Sequence, residues 1–331
     1  MPAVELDASD LQARLAPLGV GDVRQLAGGA SSLTYAGTMA DGGRVVIKVA
    51  PPGVAPTLNR DVLRQARLMK TLRGSGVAVP EVMWEDEGIP PGVPPLFVMA
   101  FAEGTSLEPL FDLDHDDVDD VDGEDEAVVA ERMRNAARVL AALHALDPSA
   151  IGLGDEPRVG LEDEIDRWCR LLATVDPALV PGWEDVASAL RAREVETVPD
   201  SVVHGDFRLG NVLAAGVDIT AVVDWEIWTV GDPRVDVGWF LVNADPATYQ
   251  RGTRYAASLP SPVELAEIYA DERGRDVPDL ELFQALACFK SSATWALIVK
   301  HNRRRSDPDP EVEGMAAVLP HLLERARELL A

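Results

Sequence analysis

The sequence predicts an α+β fold in two parts, a β-rich N-terminal lobe over residues 1–101 and a mainly helical lobe over 102–331. Three observations predict it. β-Branched runs separated by Gly-rich turns crowd the first hundred residues. Beyond about residue 127, apolar residues recur at the helical spacing of 3.6. One short β-turn-β unit, Asn211–Leu213 and Ile219–Asp224, is embedded among those helices. Strands first and helices afterwards do not give the alternation that a parallel β/α sheet needs.

The elements follow in order. Val23–Leu26 and Leu33–Met39 read as strands joined by Ala27-Gly-Gly-Ala-Ser-Ser32. The turn Asp41-Gly42-Gly43 leads into Arg44-Val-Val-Ile-Lys-Val-Ala50, a hairpin signal between β-branched runs. Leu58 to Leu72 reads as one helix, with Leu58, Val62, Ala66, Met69 and Leu72 sharing a face. Val77–Trp84 and Pro95–Phe101 supply further strands across a Pro/Gly-rich loop. Met133, Ala137, Leu140 and Leu143 then form an apolar stripe. Ile165–Val175, Trp183–Glu196, Val263–Gly274, Leu280–His301 and Met315–Leu330 repeat its period.

Composition excludes several function classes. At 331 residues and 47% hydrophobic content the chain can build packed cores. A formal charge of −26 would be repelled by a phosphate backbone, so a nucleic-acid role is not expected. The apolar stretch from Ile89 to Ala102 is broken by Pro90, Pro91, Pro94 and Pro95 and cannot be a membrane helix. The start, Met-Pro-Ala-Val-Glu-Leu-Asp, lacks a basic, apolar leader. Cys169 and Cys288 have no metal or disulfide spacing. These features predict a soluble cytoplasmic protein with no membrane partner. The run Asp112–Glu126 holds ten carboxylates in fifteen residues, the pattern of a self-repelling loop.

The chemistry lies in residues 204–211, His-Gly-Asp-Phe-Arg-Leu-Gly-Asn, and in Asp224, thirteen residues after Asn211 at the end of an apolar β-run. An Asp followed five residues later by Asn, and then by an Asp at a strand end, suits phosphoryl transfer. Asp206 is the candidate to orient a hydroxyl and take its proton. Read alone, it is equally a turn aspartate capping backbone amides. Asn211 and Asp224 are hard oxygen ligands suited to Mg²⁺. Glu226 points to the side of Asp224 if the strand continues, either as an outer ligand or as an arginine partner. His204 reads as a packed histidine stiffening the loop, and Arg208 as a phosphate or acceptor contact.

Lys48 is the second anchor. The chain has four lysines against twenty-six arginines, yet one stands in Val45-Val-Ile-Lys-Val49. An ammonium among apolar β neighbours needs a partner, and nucleotide phosphates serve, unless it guards an edge strand. The loop Gly28-Gly29-Ala30-Ser31-Ser32 lets backbone N–H groups close over phosphates, or is a plain hairpin.

Together His204–Asn211, Val-Val-Asp224-Trp-Glu and Gly231-Asp-Pro-Arg-Val-Asp236 resemble the aminoglycoside phosphotransferase (APH)/choline kinase-like family. Within it the likeness is to a bacterial branch related to kinase domains of acyl-CoA metabolism. It runs from about Leu26 to the final helices. The resemblance implies a protein-kinase-like fold, ATP and Mg²⁺ as cofactors, and a small-molecule hydroxyl acceptor. It implies Asp206 as catalytic base with Arg208 beside it, Asn211 and Asp224 as magnesium ligands, and Lys48 as phosphate anchor. Val98, Ala100 and Ala102 would form the adenine-binding hinge, and Asp236 a structural brace. One departure stands out. The family carries a glutamate on the N-lobe helix, paired to the strand lysine. This chain has Gln65 there, with Asp61 one turn earlier as a substitute.

The acceptor is less defined. The overall acidity favours a cationic acceptor, while Lys300-His-Asn-Arg-Arg-Arg305 is a basic cluster suited to coenzyme A phosphates. A hydroxylated metabolite or hydroxyacyl-CoA is the favoured acceptor. An aminoglycoside-type kinase and a non-catalytic ATP-binding regulator are the alternatives.

Overall fold

The computed structural model describes residues 6, 8–26, 32–111, 124–250 and 252–331. The chain divides into two units, the first made of Met1–Thr105, Leu213–Ala215 and Ile219–Trp228. The second holds Ser106–Val212, Gly216–Asp218 and Thr229–Ala331. The border therefore lies at Thr105 rather than 101, and the stretch carrying Asp224 returns to the first unit. Most of the acidic run, 112–123, lies outside the described residues.

In the first unit, helix α1 (Ala8–Leu15) precedes strands β1 (Gly21–Gln25), β2 (Leu33–Thr38) and β3 (Arg44–Val49). Helix α2 (Val62–Leu72), β4 (Val82–Asp86) and β5 (Leu96–Ala100) follow. The strands form one antiparallel sheet in the order β1-β2-β3-β5-β4. Alternation along β3 decides what each face does. Val45, Ile47 and Val49 enter a core with Leu11, Leu15, Leu96 and Val98, while Val46 and Lys48 turn to the opposite face. Each fully buried aliphatic side chain in that core contributes roughly 1.5–3 kcal/mol.

Two sequence expectations shift here. The predicted helix from Leu58 begins instead at Val62. Leu58 is 82% exposed in a separate 3₁₀ turn, and Asp61 caps α2 by accepting the Arg64 N–H at 3.0 Å. The predicted strand from Val77 begins instead at Val82, because Pro80 has no N–H to donate to a ladder. Gly104 shows why a glycine stands at the unit's end. Its φ is +122°, and a Cβ there would sit 2.6 Å from the Ala214 carbonyl oxygen. That close approach lets Thr105 and Ala214 exchange backbone hydrogen bonds of 2.9 and 3.0 Å.

The second unit is built on α3 (Glu126–His144), α4 (Leu161–Leu172), α5 (Trp183–Arg191) and α6 (Arg234–Ala244). It continues with α7 (Pro246–Tyr249), α8 (Pro262–Arg273), α9 (Leu280–Asn302), α10 (Pro310–Gly314) and α11 (Leu319–Leu329). Short strands β6 (Arg158–Val159), β7 (Ser201–Val203) and β10 (Thr229–Gly231) form a sheet in the order β6-β10-β7. Strands β8 (Val212–Ala215) and β9 (Asp218–Val222) make the hairpin that follows residues 204–211. Helix α9 packs against α4, α6 and α11. It is long and apolar enough to cross a membrane, but 72% of its apolar window is buried in this core. Helix α6 is apolar nearly all round and so has no polar face to mark a period in the sequence.

Candidate active site

Strand β7 carries the chain into residues 204–211, and buried carboxylate Asp236 at the start of α6 fixes the turn. Its oxygens accept the His204 N–H at 2.6 Å and the Gly205 N–H at 2.8 Å. Gly205 has φ +85°, a conformation glycine adopts without penalty. His144 of α3 lies 3.3 Å from Asp236 through Nε2, and its Nδ1 accepts from the Tyr269 hydroxyl at 2.8 Å. Burial lowers the His144 pKa, which keeps the ring neutral with its proton on Nε2. Burial alone would raise the Asp236 pKa, but the bond from His144 and the backbone donors prevail and lower it.

Asp206 follows with both carboxylate oxygens held. Trp239 Nε1 donates to Oδ1 at 2.8 Å, and Asn211 Nδ2 donates to Oδ2 at 2.9 Å. The same Asn211 nitrogen also donates to the Asp206 carbonyl at 2.8 Å. The Asp206 N–H donates to Nδ1 of His204, a fully buried ring, at 3.2 Å. Arg208 Nε lies 3.5 Å from Asp206 Oδ2, and its Nη1 donates to Glu108 Oε2 at 2.6 Å. Glu108 also accepts the Gly210 N–H at 3.2 Å, while its Oε1 is buried without a partner among the described residues. Burial raises the Glu108 pKa against the pull of Arg208. With its nitrogen turned to Asp206, Asn211 keeps its amide oxygen, a hard ligand, uncommitted among the described residues.

In the first unit, β3 is a central strand, so Lys48 is not an edge guard. Its Nζ donates to Asp224 Oδ1 at 3.0 Å, with 12% of the lysine side chain and 39% of the aspartate exposed. Asp224 adopts φ +66° and ψ +53°, uncommon for a residue with a side chain. The break ends β9, so Glu226 falls in a 3₁₀ turn and strand alternation does not place it beside Asp224. Arg64 of α2 stacks 3.8 Å over the Trp228 ring and donates to its carbonyl at 3.0 Å, anchoring that turn.

Gln65 is 2% exposed and its Nε2 has no hydrogen-bond partner among the described residues. Asp61 does not replace the missing glutamate, because its carboxylate caps α2. Val98 lies within β5 and pairs with Ile47 on one side and Trp84 on the other. Its backbone is committed to ladders, which corrects its assignment to the hinge. Ala100 ends the strand and gives its N–H to Glu81 O at 2.8 Å, while Ala102 lies beyond the strand. Ser32 is 3% exposed, and its hydroxyl has no hydrogen-bond partner among the described residues. Gly28, Gly29 and Ser31 lie outside the described residues.

Asp206, Arg208 and Asn211 therefore meet in one unit, and Lys48 and Asp224 in the other. Glu108, Trp239 and Lys290 were missed in the sequence. Glu108 sits in a segment without periodicity, and Trp239 and Lys290 lie in apolar helices where a single polar atom leaves no pattern. Two residues of the basic cluster have neighbours as partners: Lys300 donates to Thr174 O at 2.6 Å and Arg303 to Glu313 at 2.6 Å. Among the described residues no group of three or more His, Cys, Asp and Glu is arranged for a metal.

The profile of the phosphotransferase enzyme family (APH) matches residues 22–273. Mouse acyl-CoA dehydrogenase family member 10 is 27% identical over 64% of this chain, which covers 19% of that protein. The chain spans well under half the length of the curated relatives it matches. A provisionally assigned aminoglycoside phosphotransferase from Ralstonia eutropha superposes with a TM-score of 0.77 at 22% identity, covering 98% of both chains. Aminoglycoside phosphotransferase APH(4)-Ia, in a ternary complex with ADP and hygromycin B, gives 0.62 at 16% identity over 96% of this chain and 97% of that one. These likenesses identify the fold as protein-kinase-like.

Proposed function

The chain belongs to the phosphotransferase enzyme family, a family of small-molecule kinases, and from that premise we propose that it moves the γ-phosphate of MgATP to a small-molecule hydroxyl. One observation carries the reading. Asp206 has each carboxylate oxygen fixed by a different donor, Trp239 and Asn211, and so is aimed before any substrate arrives. Asp206 orients the acceptor hydroxyl and receives its proton late, as the oxygen bonds to phosphorus. Arg208, held by Glu108, offsets charge on the transferring group. Lys48 contacts nucleotide phosphates, Ser32 lies on the phosphate side, and Ala100 and Ala102 present backbone to adenine.

Asn211, whose amide oxygen is uncommitted among the described residues, and Asp224, whose carboxylate is partly exposed, are the residues of each unit that would serve as Mg²⁺ ligands. The ion would neutralise charge on the phosphoryl oxygens, with the nucleotide completing its ligands. ADP in the related APH(4)-Ia complex supports ATP as donor. For the acceptor we favour a hydroxylated metabolite or hydroxyacyl-CoA, supported by the curated relatives named for acyl-CoA chemistry.

The test is ADP release by purified protein with MgATP across aminoglycosides, choline and amino alcohols, sugars, and 3- and 4-hydroxyacyl-CoAs. An acceptor-dependent rate abolished by Asp206→Ala supports the reading. A second reading, a non-catalytic ATP-binding regulator, is favoured by Gln65 in the glutamate position. It predicts MgATP binding with no turnover on any acceptor.

A further inference from the structure

We infer that Lys290 is a positioning residue for Asp206, acting on it through the Trp239 indole and the Gly205 carbonyl. The inference rests on the reading of Asp206 as the group facing the acceptor hydroxyl. Lys290 sits in the middle of α9 and is 5% exposed. Enclosing an ammonium is costly unless something replaces its water. Among the described residues no carboxylate lies within ion-pair distance of it. Its Nζ donates instead to the Gly205 carbonyl and sits 3.6 Å from the centre of the Trp239 ring, with the Trp168 ring at 5.7 Å. A plain core position would take leucine or methionine, and a surface cation in this chain is nearly always arginine, with 26 arginines to four lysines. A compact ammonium in this place is a specific choice.

Both partners lead to the same aspartate. Trp239 Nε1 donates to Asp206 Oδ1 at 2.8 Å. A cation over the indole face draws density from the ring and makes that N–H a stronger donor. Gly205, whose carbonyl Lys290 holds, gives its N–H to Asp236 at 2.8 Å. The residue before Asp206 is thus fixed at both polar atoms while its φ stays at +85°. One ammonium stabilises the carboxylate from the side-chain direction and the backbone from behind.

Burial lowers the Lys290 pKa to about 8, opposed by the fields of Asp206, of Glu164 on α4 and of Asp236 on α6, and aided by Arg167 on α4. The ammonium is therefore present below that pH and lost above it. The Trp239 indole N–H reports this directly by ¹H–¹⁵N NMR of the full chain, its peak assigned by its disappearance in Trp239→Phe. In the wild type the peak should lie downfield and move upfield as pH rises through about 8. In Lys290→Met, which keeps the side-chain volume, it should lie upfield at every pH and not titrate. A peak identical in the two proteins, or a wild-type peak that ignores pH between about 7 and 9.5, overturns the inference. The second outcome needs no variant, so a misfolded Lys290→Met leaves the test intact.

Kinetics separate this inference from the one beneath it. With MgATP and an accepted hydroxyl, Lys290→Met should lower kcat roughly three- to thirty-fold, leave KM for MgATP within about twofold, and abolish the alkaline fall in rate. A purely structural role would lower stability without moving that limb. If Asp206→Asn retains full turnover, the base reading fails whatever Lys290 does. If Asp206→Asn is inactive while Lys290→Met matches wild type, only the Lys290 inference fails.

Discussion

Replacing Asp236 tests the brace behind the turn. Its carboxylate accepts from His204 N–H at 2.6 Å, from Gly205 N–H at 2.8 Å and from His144 Nε2 at 3.3 Å, and is 0% exposed. Asp236→Ala leaves these donors enclosed with no acceptor. Each orphaned donor costs about 1–3 kcal/mol. Partial relaxation of the loop recovers some of that, so a net loss of about 3–5 kcal/mol is expected. Asp236→Asn keeps the shape but presents one acceptor and one N–H₂, so one donor then faces another, and about 2–3 kcal/mol should be lost. Urea unfolding of the two variants, with equal m-values as the check on two-state comparison, measures both numbers. The sign with pH follows from the lowered pKa of Asp236. Its contribution is present above the unfolded-state value near 3.9 and lost as pH falls through the folded value, so wild type and Asp236→Ala should converge only in that acid range. A loss below about 1 kcal/mol at neutral pH for Asp236→Ala would refute the hydrogen-bond accounting.

Three further outcomes are expected. Gly104→Ala should destabilise the protein by about 2 kcal/mol or more in a thermal melt, since φ +122° and a contact of 2.6 Å must both relax; an unchanged melting temperature contradicts the close approach to Ala214. Gln65→Leu removes a buried donor that has no partner and should be neutral or stabilising by about 1 kcal/mol without nucleotide, whereas a marked loss would mean the amide is satisfied. Cys288 is buried with its pKa pushed up to about 12, and Cys169 is half-buried. A disulfide reagent should therefore titrate one thiol in the native protein and the second only on unfolding.

How much of this was legible in the sequence depends on the range of each interaction. The strands around Lys48 and the helices with a polar face were readable, because alternation and 3.6 periodicity are local. The helix-start error at Leu58 came from apolar spacing that ran past a capping aspartate. The same aspartate reads in the sequence as a partner for Lys48, and its use as a cap removes it. Trp239 and Lys290 could not be read, since each looks like one more residue in an apolar helix until the fold brings it to residues 205 and 206. The Lys48–Asp224 pair spans 176 positions of sequence. That pair also changes the meaning of Gln65. Read from the sequence, glutamine takes from Lys48 the charge that should hold it. In the fold, Lys48 already has a carboxylate 3.0 Å away on a segment that α2 itself anchors through Arg64 and Trp228. A glutamate at position 65 would be enclosed at 2% exposure and, wherever it reached Lys48, would compete with Asp224 for one ammonium. A neutral amide keeps the position polar without that competition, so the departure at Gln65 is compatible with an ordered Lys48 and is not by itself a mark of an inert protein.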